Sequence, residues 1–420
     1  MELVANVLLI TIAAIYVLFF IELTYAYFKG EFHFRALDVI SSLSAGMTNA
    51  VKAALGLVIV VFGYKELFEY FAMVELEVTW VTYLLALIAL DFQTYWYHRF
   101  AHQINILWNR HVIHHSGEDF NIATALRQSI SKFVNISVFF LLPAAFLGVP
   151  PKLIAVIAPF HLFIQVWYHT TYIGKLGWLE YIIVTPAQHR VHHAINDIYM
   201  DRNFSGVFCV WDRMFGTFQQ ELDEEPVIYG VKRQVNTWNP IKINLDHLWL
   251  LVKDAWRAGS LWDKVRIWFM PTGWRPADVE ARYPVKAADP KAFVKYDTQV
   301  SKRLKLWSWF QFGMLSLMVL HLLFQIVEIG SPGIFIYGLF MFLMVYSYTT
   351  LMDKDESAMW IEATKSIIGL SIIYFNGSWF QIDAVIPSGT ILMAAYFIIS
   401  GIVVGWFVTK EIKADQVIYE

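Results

Sequence analysis

Long apolar runs set the frame for this chain. The first covers residues 3–28, and similar runs recur at about 38–63, 78–97, 130–148, 152–172, 306–328, 333–352, 358–376 and 387–408. A run of about 20 apolar residues is the length that crosses a bilayer as a helix. A helix also satisfies its own backbone hydrogen bonds there. The chain therefore reads as all-α, a polytopic membrane helical bundle of about nine spans. Composition agrees: 16 % of the residues are charged, against about a quarter in a soluble domain. The first run has no basic stretch before it and no cleavage signature, so it is expected to stay as a membrane helix. A net charge of −3 offers no attraction to nucleic acid. Cys209 is the only cysteine, which excludes an intrachain disulfide and a thiolate metal cage.

Three histidine clusters stand out from this apolar background. They are His98 with His102, His111 with His114 and His115, and His189 with His192 and His193, together eight of the 13 histidines. Residues i, i+3 and i+4 share a helix face, so each cluster can aim its imidazoles at one point. One such pair alone is more often core packing. Three clusters, two of identical spacing, point to metal binding, for which neutral imidazole suits zinc, copper, iron and nickel. Eight nitrogens exceed the needs of one ion, so two metals in a shared cage are expected.

The rest of the chain is read around these clusters. Asp91 lies inside the third run, on the face that carries His98 and His102, and an intramembrane carboxylate is a functional candidate by default. Its expected role is to orient a ligand histidine from outside the metal shell; a capped structural aspartate is the alternative. Pro150-Pro151 joins the fourth and fifth spans in a tight hairpin, which returns the second and third clusters to one side of the membrane. His161, deeper in that hairpin, reads as a core histidine. Loops rich in Lys and Arg place the N-terminus outside and both the clusters and the C-terminus on the cytoplasmic side. The expected organisation is N-terminal spans over 1–74, a metal domain over 75–280, a linker over 281–305 and a C-terminal membrane bundle over 306–420. That last bundle reads as packing, with Glu362 its one unusual residue.

The motifs also resemble a known family. His98-Arg99-Phe100-Ala101-His102, Trp108, His111 to His115, Glu118 to Asn121 and Thr124 to Ser129 resemble the fatty acid hydroxylase/sterol desaturase superfamily. So do Pro186 to His193, Asn196, Asp201, Asn203, Gly206, Trp211-Asp212 and Phe215 to Phe218. The nearest likeness is to its alkylglycerol-cleaving branch. The resemblance implies a membrane di-iron monooxygenase that uses O2 and an external electron donor, tetrahydrobiopterin in the branch resembled, to hydroxylate a membrane lipid. In that branch the product is an aldehyde and a glycerol derivative. It also implies His169 as a ninth metal ligand. One departure stands at Gln103, where the branch carries an acid, so a contact to the reductant is expected at this position. Sterol, fatty acyl or amino-lipid hydroxylation or desaturation is the alternative within the superfamily. Outside it stand a dizinc hydrolase, with Glu118 as the candidate base, and a metal transporter. Phe92, Trp96 and Trp167 are expected to line an apolar tunnel to the metals.

Overall fold

The computed structural model describes residues 2–57, 63–132 and 136–414. Residues 58–62 of the expected second span, 133–135 of the expected fourth and the terminal 415–420 lie outside the described residues. Among the described residues there is no strand, only two isolated bridges, Ile183 with Phe208 and Ala194 with Tyr229. The helices used below are α1 (Glu2–Lys29), α2 (Ala36–Ala54), α3 (Trp80–Gln103), α4 (Val112–His115), α5 (Pro151–Ile164) and α6 (Pro186–His192). They continue with α7 (Pro240–Arg257), α8 (Leu261–Arg266), α9 (Lys302–Ile329), α10 (Gly333–Met352), α11 (Ala358–Asn376) and α12 (Gly389–Phe407).

Five of the described helices are long and apolar enough to cross a membrane: α1, α9, α10, α11 and α12, the last extended to Ile412. The expected count of about nine is not confirmed. The Pro150-Pro151 hairpin forms, but its arms are short. The first is the helical stretch Ser137–Phe146 and the second is the 14-residue α5. At about 1.5 Å per residue, α5 covers about 21 Å, less than the roughly 30 Å of a hydrocarbon core. Neither arm reaches the length of the expected full span. α2 is 19 residues long, yet it buries Asp38, Ser41, Ser42, Ser44, Thr48 and Lys52. Its polar side chains face protein rather than lipid.

Two apolar cores hold these pieces. The larger joins α1, α2 and α9 to α12. Gly338 of α10 packs closely on the end of α2: a Cβ there would sit 2.4 Å from Leu55 Cδ1 and 3.2 Å from Val51 Cγ1, so a larger residue would force the Leu55 side chain to move. The smaller core packs Ala86 and Leu90 of α3 on Leu141, Ala144, Val149 and Leu153 of the hairpin. α3 starts at Thr79, whose side chain accepts the N–H of Thr82. Its final turns exchange apolar residues for Tyr95, His98, Arg99 and His102, so the helix that begins in the smaller core ends in imidazoles. Within the C-terminal bundle, Glu362 pairs with Lys365 at 2.6 Å, and both are buried. The Ser347 hydroxyl donates to the same carboxylate at 2.6 Å, so Glu362 is absorbed in an internal polar network.

Candidate metal centre

The structure brings nine imidazoles together in two groups. One group holds His98, His102, His111, His115 and His192; the other holds His114, His169, His189 and His193. Within each group the candidate ligand nitrogens all lie within 4.8 Å of one another. All eight clustered histidines and His169 are thus gathered. The expectation that each cluster aims at one point is corrected. His114 leaves its neighbours for the second group, and His192 leaves its own for the first. In each His-x-x-His-His run, i and i+4 stay together while i+3, rotated by roughly 80° from that pair's mean direction, reaches across.

Local sequence explains how α6 presents its histidines. Thr185 caps the helix by accepting from the Gln188 N–H, and Pro186 occupies a position that needs no N–H donor. Three histidines are then oriented by backbone carbonyls. His98 Nδ1 lies 2.8 Å from Phe204 O, His192 Nδ1 lies 2.9 Å from Arg202 O, and His169 Nδ1 lies 3.0 Å from Gln165 O. A carbonyl can only accept, so each Nδ1 carries the proton and each Nε2 keeps a lone pair. Those Nε2 atoms crowd one another: His98 lies 2.8 Å from His111, and His169 lies 2.9 Å from His189. The Nε2 of His192 is buried with no hydrogen-bond partner among the described residues. His111 also lies 3.0 Å from His115 and His189 3.1 Å from His193, so one ring proton can relieve one contact but not both, whereas a cation among the rings relieves the set. Burial also pushes the His169 pKa down to about 3, and those of His189, His192 and His193 well below 6.5. The imidazoles are therefore held neutral, the form that binds metal.

The strap that supplies two of these carbonyls is itself tied down. Asp201 and Asn203 both take positive φ, 55° in each case. Asn203 Nδ2 donates to Gln188 O at 2.9 Å and to Gln219 O at 2.8 Å. The buried Asp212 accepts the N–H of Phe204 at 2.8 Å and of Ser205 at 2.9 Å. Asp91 continues the same strap. It accepts the N–H of Val207 at 2.7 Å, of Phe208 at 2.9 Å and the indole N–H of Trp211 at 2.9 Å. Its histidine partner is His161, at 2.9 Å, which belongs to neither group. The expected direct bond from Asp91 to a ligand histidine is therefore not what is seen; four donors from the strap, α5 and Trp211 saturate the carboxylate. Gly206 makes this approach possible, since a Cβ there would fall 3.0 Å from Asp91 Oδ1 and 2.9 Å from Thr94.

With this geometry in hand, the comparisons are specific. Residues 83–217, which include every one of the nine histidines, match the family model for fatty acid hydroxylase. The chain is 30 % identical to human alkylglycerol monooxygenase over 390 residues, covering 92 % of this chain and 84 % of the relative. The chain belongs to the fatty acid hydroxylase family. Alkylglycerol monooxygenases of Xenopus tropicalis and Danio rerio are 33 % and 31 % identical, over 80 % and 88 % of this chain and 75 % and 82 % of theirs. No solved structure matches significantly. The protein is thus a membrane-embedded lipid monooxygenase of this superfamily, and its all-imidazole donor set fits an iron centre.

A buried ionic frame braces the site of this hydroxylase. Arg127 Nε donates to Ile113 O at 3.1 Å and to Ser116 Oγ at 3.0 Å, while its Nη1 reaches Asp38 of α2 at 3.0 Å. That ties α4, which carries His114 and His115, to α2. Asp119 accepts from Arg35 at 3.0 Å and from Lys295 at 2.7 Å. Glu118 accepts from Gln234 at 2.7 Å and from the Tyr296 N–H at 2.6 Å. Its carboxylate is engaged in this frame and is not offered as a base to the histidines. Asp38 was legible only as a polar residue at the start of an apolar run, and no sequence signal marks the Phe204 and Arg202 carbonyls.

The hydroxylase centre is reached by a cavity of about 380 Å³. Its lining includes His102, His115 and His192 of the first group together with Trp108, Asp201 and Trp274. Gln103 ends α3 as an exposed residue, and its carbonyl accepts the Thr272 N–H at 3.2 Å. Phe92 packs on Trp211 and Trp96 on Phe215, with ring centres 5.4 and 4.8 Å apart, and both are half-buried. Trp167 packs with Tyr168, Val184 and Cys209.

Proposed function

We propose that the chain cleaves ether lipids by hydroxylating the carbon beside the glycerol oxygen of an alkylglycerol. The hemiacetal so formed falls apart to a fatty aldehyde and a glycerol derivative. One oxygen atom of O2 enters the lipid; the other leaves as water, with two electrons from an external donor. The observation that carries this reading is the coverage of the alkylglycerol monooxygenases, which extends through both histidine groups to the C-terminal helices. Two iron ions held at the two groups would supply the oxidising power that no side chain has.

The chain's own contribution is placement. His98, His102, His111, His115 and His192 would hold one ion, and His114, His169, His189 and His193 the other. The carbonyls of Arg202, Phe204 and Gln165 fix three of these rings so that Nε2 faces inward. Asp91 and Asp212 keep the strap from shifting. The cavity beside His102 is the route by which a polar molecule reaches the centre. Tetrahydrobiopterin is the proposed reductant, with Gln103 near its path, and the centre is placed on the cytoplasmic side, where such a donor is found. Incubating reduced enzyme with an alkylglycerol and O2 should release the fatty aldehyde, with uptake of one O2 for each aldehyde formed. Oxidation of sterols or acyl chains alone would refute the ether-lipid assignment and leave the family intact.

A further inference from the structure

Helix α7 is turned the wrong way for a helix in water. Its outward stripe is Leu245, Trp249, Val252 and Trp256, all exposed, with Trp256 at 84 %. Its inward face carries Asn244, His247 and Asp254 beside Ile243 and Leu251, all buried. A soluble amphipathic helix shows the opposite arrangement. α8 and the residues after it extend the same apolar surface with Leu261, Trp262, Val265 and Phe269, and Leu261 is 80 % exposed. Between α7 and α8 lies an open groove of about 610 Å³ whose apolar wall of Trp249, Trp256 and Trp268 is edged by Lys253, Arg257 and Lys264. A surface with this much exposed indole is an interaction site rather than scatter.

The ends of this unit fix its height. Asn239, which caps α7, donates from Nδ2 to Tyr346 O at 3.3 Å, and the Trp238 N–H donates to Asp353 at 2.7 Å. Both partners belong to the C-terminal end of α10, one of the five apolar helices long enough to cross a membrane. At the other end, the Asn105 and Ile106 N–H groups donate to Met270 O and Trp268 O, each at 3.0 Å. The unit is thus stitched to the ends of α10 and α3, at the level where a bilayer gives way to water. Tryptophan concentrates at that level, and basic side chains there meet anionic headgroups.

The geometry points to α7 and α8 lying in the plane of the bilayer surface, with their tryptophan face in the headgroup layer and Lys253 against anionic phospholipid. The histidine groups are then roofed by an interfacial plate rather than by a domain standing free in water.

The test uses the full chain with Cys209→Ser and single nitroxide-labelled cysteines at Trp256→Cys, Phe269→Cys and, as the control, the exposed Glu224→Cys. In nanodiscs of phosphatidylcholine and phosphatidylglycerol, labels at 256 and 269 should be more accessible to O2 than to a water-soluble nickel chelate. The label at 224 should show the reverse. Adding Lys253→Glu should raise the nickel accessibility of the label at 256 in these discs, and less so in phosphatidylcholine alone. Equal nickel accessibility at 256, 269 and 224 would overturn the proposal. So would shielding found only in discs that hold two copies, which would assign the face to self-association. The unlabelled chain gives an independent reading. Lipids brominated near the headgroup should quench a share of its tryptophan fluorescence that falls in Trp256→Phe/Trp262→Phe, and an unchanged share would overturn the proposal.

Discussion

The Nδ1–H of His98 donates to the carbonyl oxygen of Phe204 across 2.8 Å, and Asp212 holds that carbonyl in place from behind by accepting the Phe204 N–H. The tautomer of His98 is therefore set by a carboxylate it never touches. Asp212→Ala should loosen both His98 and His192, since their two carbonyls lie on one strap. Support of this kind typically contributes about ten- to a hundredfold in metal affinity. Metal titration by calorimetry should show one of two sites weakened by that factor while the other is kept. Equal weakening of both would refute the assignment of the strap to the first group.

Asp91 should behave differently, because its four partners are donors and it holds structure farther from the rings. Asp91→Asn replaces one acceptor oxygen with a donor that faces backbone N–H groups. Hydrogen bonds to charged groups are worth about 1.5–3 kcal/mol each, so a drop in melting temperature is expected together with a loss of turnover. Metal content should stay near that of the parent. Unchanged turnover would reduce Asp91 to packing.

Arg127 is the keystone between α4 and α2. Arg127→Ala leaves Asp38 buried with Arg35 as its remaining ion partner, 3.4 Å away. Breaking a buried pair costs about 3–5 kcal/mol, lessened here by that second arginine. Denaturant unfolding of the metal-free protein should show the loss, and a double cycle with Asp38→Asn should recover part of it.

Acid should unfold the metal-free protein early. His169 has a folded pKa of about 3 against an ordinary value of 6.5, and burial lowers His189, His192 and His193 as well. The folded values are depressed, so as pH falls the unfolded chain takes up protons first. Stability is therefore whole above about 6.5 and is lost progressively toward 3. Denaturation midpoints should fall through that window, with less effect in the metal-loaded protein, whose lone pairs are engaged. A flat profile would mean that these rings are not buried and neutral.

Gln103→Glu restores the acid found in the alkylglycerol-cleaving branch. Turnover with tetrahydrobiopterin should rise if this position contacts the reductant. Equal rates for both side chains would separate Gln103 from electron supply.

The gathering of the histidines was legible because imidazoles at helical spacing are rare without a use and their pattern survives any error in span boundaries. The division of that set was not legible. His114 and His192 cross between groups because their helices are short and face each other, and no spacing rule reports which short helices meet. The span count depended on hydropathy, which scores the hairpin residues as apolar without registering the break after Ile164 that shortens the second arm. Asp91 was visible as a carboxylate in an apolar run. Its partners were not, because Val207, Phe208 and Trp211 come to it from a strap more than a hundred residues away.

The exchange of His114 and His192 has a consequence for how such a centre can come apart. Each His-x-x-His-His run lends two rings to one group and a single ring to the other, like two hands with interlaced fingers. Separating the two runs would take one ring from each group at once, so the two groups are coupled along a single coordinate.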